Sequence, residues 1–191
     1  MQRAATALRG ALTGRSAISP AVMRVARAVA VFPATNSPTK VRQGHGIVSG
    51  RDPKPGGWLL PAVVSFKATL RVPAGRNPGD ILLVAISRRG FDRLGQDEFT
   101  LAESVDISPG PVGRNSPIKL GTDLVAYTRY RIAFAGITIE QLEISEDVEA
   151  NKRLYGSEAR LNDVLFGRIR TGPPNAMAWP GTIEAYFREM K

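Results

Sequence analysis

The one histidine of this chain, His45, stands between two glycines, and there is no cysteine. A zinc centre needs several nitrogen, sulfur or carboxylate ligands together, and a triad needs a nucleophile beside an oriented imidazole. A lone histidine anchors neither, and the missing thiols exclude disulfides, zinc–thiolate sites and cysteine nucleophiles. Asp97, Glu98 and Asp106 lie close in sequence, as general acid and base pairs can, but neighbours on a strand point to opposite faces. The acids Glu140, Glu143, Glu146, Asp147 and Glu149 lack the alternating Asp/Asn pattern and central glycine of a calcium loop. They read as the solvated start of a helix. No catalytic residue, metal site or cofactor is expected, and nothing here would turn over a small-molecule substrate.

Two further stretches invite chemistry. "DISPGPVGRN" (106–115) suggests a phosphate cradle ending on Arg114. A cradle needs free backbone amides and a helix opening directly after it. Pro109 and Pro111 have no amide proton and Pro117 blocks an early helix, so a rigid corner between strands fits better. "YTRYR" would place Tyr127, Arg129 and Arg131 on one side of a strand, the nearest approach to a base-stacking platform.

Charge is the stronger signal. The net charge is +9, and no acid precedes Asp52. Arg3, Arg9, Arg15, Arg24, Arg27, Lys40 and Arg42 all fall in that acid-free stretch, and Lys67 and Arg71 follow. Such a field attracts polyanions: an anionic membrane, nucleic acid or an acidic protein. These nine cations are the candidate lipid-binding residues. The arginine- and alanine-rich residues 1–17 also read like a mitochondrial transit peptide, although an amphipathic helix belonging to the domain is preferred.

The elements that must carry these residues are helices at both ends and strands between. In "SPAVMRVARAVAVFP" Ser19 can cap and Pro20 suits the first turn, with Val22, Val25, Ala26 and Val29 on one helical face and Pro33 as the stop. "DILLVAIS" is an apolar strand of the kind buried on both faces. "TDLVAYTRYRIAFAGITIEQLEI" holds two strands joined near Tyr130. Ser145 caps a helix that Gly156 ends, Ser157 caps another, and "TIEAYFREMK" is a short terminal helix. Trp58 and Trp179 read as packing plugs near turns. With 191 residues and no strand–helix alternation, the chain is expected to be α+β, a mainly antiparallel sheet or barrel flanked by N- and C-terminal helices. Residues 1–17 would form a basic amphipathic segment and 18–191 the domain proper.

Several phrases occur in an order that resembles one family: "ARAVAVFP", "GHGIVSGRD…GGWLLPA", "GDILLVAISRRGFDRL", "SPGPVGR", "AFAGITIE" and "ANKRLYG". Together they are similar to the SYLF domain, the lipid-binding domain of fungal and animal endocytic proteins that also stands alone in bacteria. The resemblance implies that the helix ending in "AVAVFP" belongs to the domain and that the Pro-Gly corner is architectural. It implies binding of anionic phospholipids, phosphoinositides in eukaryotic members, actin in some members, and no catalysis. The expected place is a membrane periphery, in a bacterial envelope or the cytoplasm. The chain departs from the family pattern at Ser65–Gly75, where Lys67 and Arg71 stand in a usually glycine-rich stretch, and at Gln141. A nucleic-acid or acidic-protein (actin-like) binding module is the alternative reading of the same charge.

Overall fold

The computed structural model describes residues 1–13, 18–34, 40–53, 57–72, 78–100, 107–112, 117–130, 133–156 and 158–189. Its strands are β1 (Ala28–Phe32), β2 (Val41–Gly50), β3 (Ala62–Arg71), β4 (Ile81–Ala85), β5 (Glu98–Thr100), β6 (Ile107–Pro109), β7 (Leu124–Tyr130), β8 (Ala133–Gly136) and β9 (Thr138–Glu146). Its helices are α1 (Gln2–Thr13), α2 (Pro20–Val25), α3 (Arg88–Leu94), α4 (Val148–Tyr155), α5 (Leu161–Leu165) and α6 (Pro174–Glu189). The strands form one sheet in the order β5-β9-β3-β2-β1-β4-β7-β6, with β8 also on β7. Among the described strands only β6 runs parallel to its neighbour. The fold is α+β, a large curled and mostly antiparallel sheet with helices at both chain ends.

Two cores, one on each face of the sheet, explain the apolar strands. Along β1, Ala28, Ala30 and Phe32 enter one core while Val29 and Val31 enter the other. Along β4, Ile81, Leu83 and Ala85 alternate in the same way with Leu82 and Val84. Period-two alternation sends neighbours to opposite faces, so a strand covered on both sides must be apolar throughout. α3 and α5 cover the first core through Phe91, Leu94, Leu161, Val164 and Leu165. α1, α2 and α6 cover the second through Leu8, Leu12, Met23, Trp179 and Ile183.

Several sequence expectations change. The helix expected through "SPAVMRVARAVAVFP" ends at Val25, and "AVAVF" is β1. The chain leaves the helix at Ala26 (ψ 131°), because the Arg27 amide donates to the Ala85 carbonyl and β1 joins the sheet. The helix starts as its sequence dictates: the Ser19 hydroxyl accepts from the Ala21 amide and Pro20 opens the helix. The region expected to hold two strands holds β7, β8 and β9. β9 runs to Glu146, so the cap of α4 is Asp147, whose carboxylate accepts from the Ala150 amide at 2.9 Å, and not Ser145. Gly156 ends that helix at φ 109°. α6 is sixteen residues long, with Trp179 buried in its middle. Asp106, Arg15, Arg114, Arg131 and Ser157 lie outside the described residues.

Candidate functional site

α1 presents two faces. Ala4, Ala7, Leu8, Ala11 and Leu12, at helical spacing, are 0–4% exposed against the sheet and α6. Arg3 and Arg9 stand on the exposed face. Burial of Leu8 and Leu12 alone contributes about 3–6 kcal/mol to holding α1 on the body. The apolar face that could have entered a lipid boundary is therefore spent on the core, and the arginines are what α1 offers outward.

α2 and the turn into β1 add Arg24 and Arg27, both exposed. Arg51 fixes their backbone: its Nη1 donates to the Arg24 carbonyl at 2.7 Å and the Ala26 carbonyl at 3.3 Å. A cation there satisfies carbonyls that the helix end leaves unbonded. Val25, 47% exposed, lies between the two arginines. A turn on the same layer carries Lys119 and Leu120, the latter 95% exposed, while Ile118 beside them packs on the second core. Sequence reasoning missed Leu120, since one apolar residue in a turn breaks no pattern.

The remaining candidates separate from this group. Arg42 is a correction: it is 3% exposed, its Nη2 donates to the Pro78 carbonyl at 3.1 Å, and burial lowers its pKa. It cannot meet a membrane surface from there. Arg71 pairs with Glu140 at 3.0 Å, one of the late acids. Lys40 and Lys67 are exposed on the β2–β3 ladder, with the Lys40 carbonyl accepting from the Leu70 amide. Among the described residues Arg3, Arg24, Arg27, Lys40 and Lys67 have no acidic partner, whereas Arg88, Arg129, Arg160 and Arg170 pair with Asp92, Asp80, Glu146 and Asp52.

The acids gather elsewhere. Glu140, Glu143 and Glu146 lie on β9 and Glu149 on α4, and β9 is separated from β1 by β3 and β2. At about 4.8 Å per strand that is roughly 14 Å across the sheet, beyond the screening length at physiological salt. His45, mid-strand in β2, has its Nδ1 2.9 Å from Asp147 Oδ2. Among the described residues no three His, Asp or Glu side chains gather as metal ligands would. The stacking platform read from "YTRYR" is absent: Tyr127 is fully buried and Arg129 is held by Asp80 at 2.8 Å.

The most distinctive sequence phrases are joints. β6 and β8 share the outer edge of β7, β6 along Leu124–Ala126 and β8 along Tyr127–Tyr130. Gly110 and Gly136 touch where those strands meet: a Cβ on Gly136 would lie 2.5 Å from the Gly110 carbonyl. The Gly110 amide donates to the Ala126 carbonyl, so that amide is not open to a phosphate. In "ANKRLYG", buried Asn151 accepts from the Val63 amide at 2.7 Å and donates to its carbonyl at 2.9 Å. Tyr155 Oη donates to the Pro61 carbonyl at 2.6 Å, and burial raises the pKa of its phenol.

Among the described residues no helix is long and apolar enough to cross a membrane. The family model described as "Ysc84: Las17-binding protein actin regulator" matches residues 67–186, more than half of the chain. The chain is 29% identical over 147 residues to LAS seventeen-binding protein 3 of Saccharomyces cerevisiae (strain ATCC 204508 / S288c), covering 69% of this chain and 30% of that protein. It is 28% identical over 141 residues to SH3 domain-containing YSC84-like protein 1 of Bos taurus, covering 71% and 41%. The chain thus spans well under half the length of these relatives, the first of which is named as a binding protein. No solved structure matches it. With the order of its motifs and the joints they form, the chain belongs to the Ysc84 (SYLF) domain family.

Proposed function

We propose that this chain is a non-catalytic module that binds anionic phospholipid membranes peripherally, phosphoinositide-like headgroups included. One observation carries this reading. Arg3, Arg24 and Arg27 are exposed without acidic partners among the described residues, while the acids of β9 and α4 stand across the sheet. Each cation near an anionic surface contributes about 1 kcal/mol, so Arg3, Arg24 and Arg27 together contribute about 3 kcal/mol, roughly a hundredfold in partitioning. The apolar face of α1 is buried, so the contact is electrostatic, supplemented by Val25 and Leu120. Flotation with phosphatidylcholine vesicles, with and without phosphatidylserine, tests it. Binding should require the anionic lipid and be lost in high salt. Equal binding to neutral vesicles, or none to anionic ones, would refute it.

The family's description as an actin regulator favours one second reading, an acidic protein partner such as actin on the same cationic face. Cosedimentation with actin filaments in the absence of lipid separates the two readings.

A further inference from the structure

We infer a second site, for a small organic anion with an apolar body, in the pocket where Arg27, Arg51 and Arg88 converge over Phe91, Leu165 and Phe166. The pocket holds about 210 Å³. Its floor residues Phe91 and Leu165 belong to the first core, whereas α1 rests on the second. The site shares Arg27 with the membrane reading but goes beyond it, since the floor lies on the other core from α1.

The floor is built and apolar. Phe91 meets Phe166 edge to face, with centroids 5.1 Å apart and planes at 84°. Phe166 remains 37% exposed, an aromatic surface without cover. Gly50 lets the floor close, since a Cβ there would lie 2.5 Å from the Leu165 carbonyl and 3.1 Å from the Phe91 ring.

The rim is cationic. Arg51 is fixed on the Arg24 and Ala26 carbonyls, and Arg88 is held by Asp92 at 2.8 Å with its guanidinium 5.9 Å from the Phe91 centroid. Arg27 has no acidic partner among the described residues. The one carboxylate in the lining, Asp52, pairs with Arg170 at 2.6 Å. Three arginines against one aspartate leave two positive charges in excess, and counting the outer partners Asp92 and Arg170 leaves that excess unchanged.

Guanidinium forks match carboxylate and phosphate oxygens, and a low-dielectric wall strengthens the attraction. A dry cavity of about 150 Å³ accommodates benzene, so this pocket accommodates a ring or a short alkyl body beneath an anionic head. It lies below the range for drug-sized ligands, which excludes a whole acyl chain. A bare inorganic anion leaves the aromatic floor wet, and a neutral ring leaves the arginines unmet. Both halves are needed in one molecule.

The test is a calorimetric and amide-shift titration of the full chain with phenyl phosphate, against inorganic phosphate and benzyl alcohol. Phenyl phosphate should saturate, shift the amides of Arg51, Phe91 and Leu165, and bind about tenfold more tightly than either control. Arg27→Gln with Arg88→Gln should weaken it about tenfold, and Phe166→Ala should weaken it without changing the salt dependence. Inorganic phosphate binding as well as phenyl phosphate, or the variants binding like the parent, overturns the site. Anionic vesicles distinguish the sources of the anion. If Phe166→Ala, which leaves every membrane-facing cation in place, loses vesicles too, the pocket takes its anion from a lipid; if it keeps them, the pocket takes a free anion, and both results support the site. Retained phenyl phosphate binding in an Arg3→Glu/Arg9→Glu/Arg24→Glu variant separates this proposal from the membrane reading.

Discussion

Gly110 lies flat against the ring of Tyr127, so close that a Cβ on Gly110 would overlap the ring carbons. The Tyr127 hydroxyl donates to the Pro111 carbonyl at 3.0 Å, which closes the Pro-Gly corner over the fully buried ring. Gly110→Ala is therefore expected to destabilise the protein by about 1–3 kcal/mol or more, through overpacking that the ring cannot escape. Gly121→Ala is the control: Gly121 has φ 80° but nothing within 4 Å, so only backbone strain of about 1–2 kcal/mol is at stake. Thermal melts of the two variants should rank them in that order.

Asn151→Ala leaves both the amide and the carbonyl of Val63 without their side-chain partner inside a buried joint. A loss of about 1–3 kcal/mol is expected, chiefly from the Val63 amide, which forfeits its hydrogen bond and keeps its desolvation, while the carbonyl still accepts from the Asp147 amide at 3.3 Å. Urea unfolding measures it, and a change under about 0.5 kcal/mol would show that the joint is dispensable.

What could be read from sequence was local. The Ser19–Pro20 start, the Gly156 stop and the two-faced strand "ILLVA" each depend on neighbours within a few residues. "ARAVAVF" supports both periods, because Val22, Val25, Ala26 and Val29 fit a helix while "AVAVF" alternates as a strand. The decision comes from the Ala85 carbonyl and the Arg51 amide, which bracket Arg27 from distant strands. The cationic character was countable, but the fate of each arginine was not. Arg42 and Arg24 look alike in sequence, yet one is buried on Pro78, 36 residues away, and the other faces water. The pocket under Arg27 joins residues from opposite ends of the chain and leaves no local trace.

Tyr155 supplies a pH test. Burial raises its phenol above the ordinary value of 10.0, so the folded state keeps the proton to higher pH than the unfolded chain. Its contribution is complete below that ordinary value and is lost as pH rises past it toward the folded pKa. Stability should fall above about pH 10, and Tyr155→Phe should flatten that fall while costing about 1 kcal/mol at neutral pH through the lost bond to Pro61. Melting temperatures across pH 7–11 check both.

Charge reversal at Arg3 and Arg24 should lower affinity for anionic vesicles by about thirtyfold or more, on about 1 kcal/mol per cation, with an unchanged melt, since both side chains are exposed without acidic partners among the described residues. Arg42→Gln should do the opposite: a lower melt from a disturbed buried site, and vesicle binding per folded molecule that matches the parent. Vesicle loss in Arg42→Gln at full stability would contradict its assigned burial.

Removing residues 1–13 should not act as a simple loss of charge. Leu8, Leu12 and three alanines leave the second core with that segment, uncovering Trp179 and Ile183. The truncated chain should melt lower and bind a hydrophobic dye, and an unchanged melt would show that α1 is only loosely docked.

β1 and β4 have no outward side, since alternate residues along each enter the first and the second core. A void opened beneath one side is transmitted to the residues seated on the other, because packed interiors carry strain. The two layers should therefore come apart together in one cooperative step and not as separate halves.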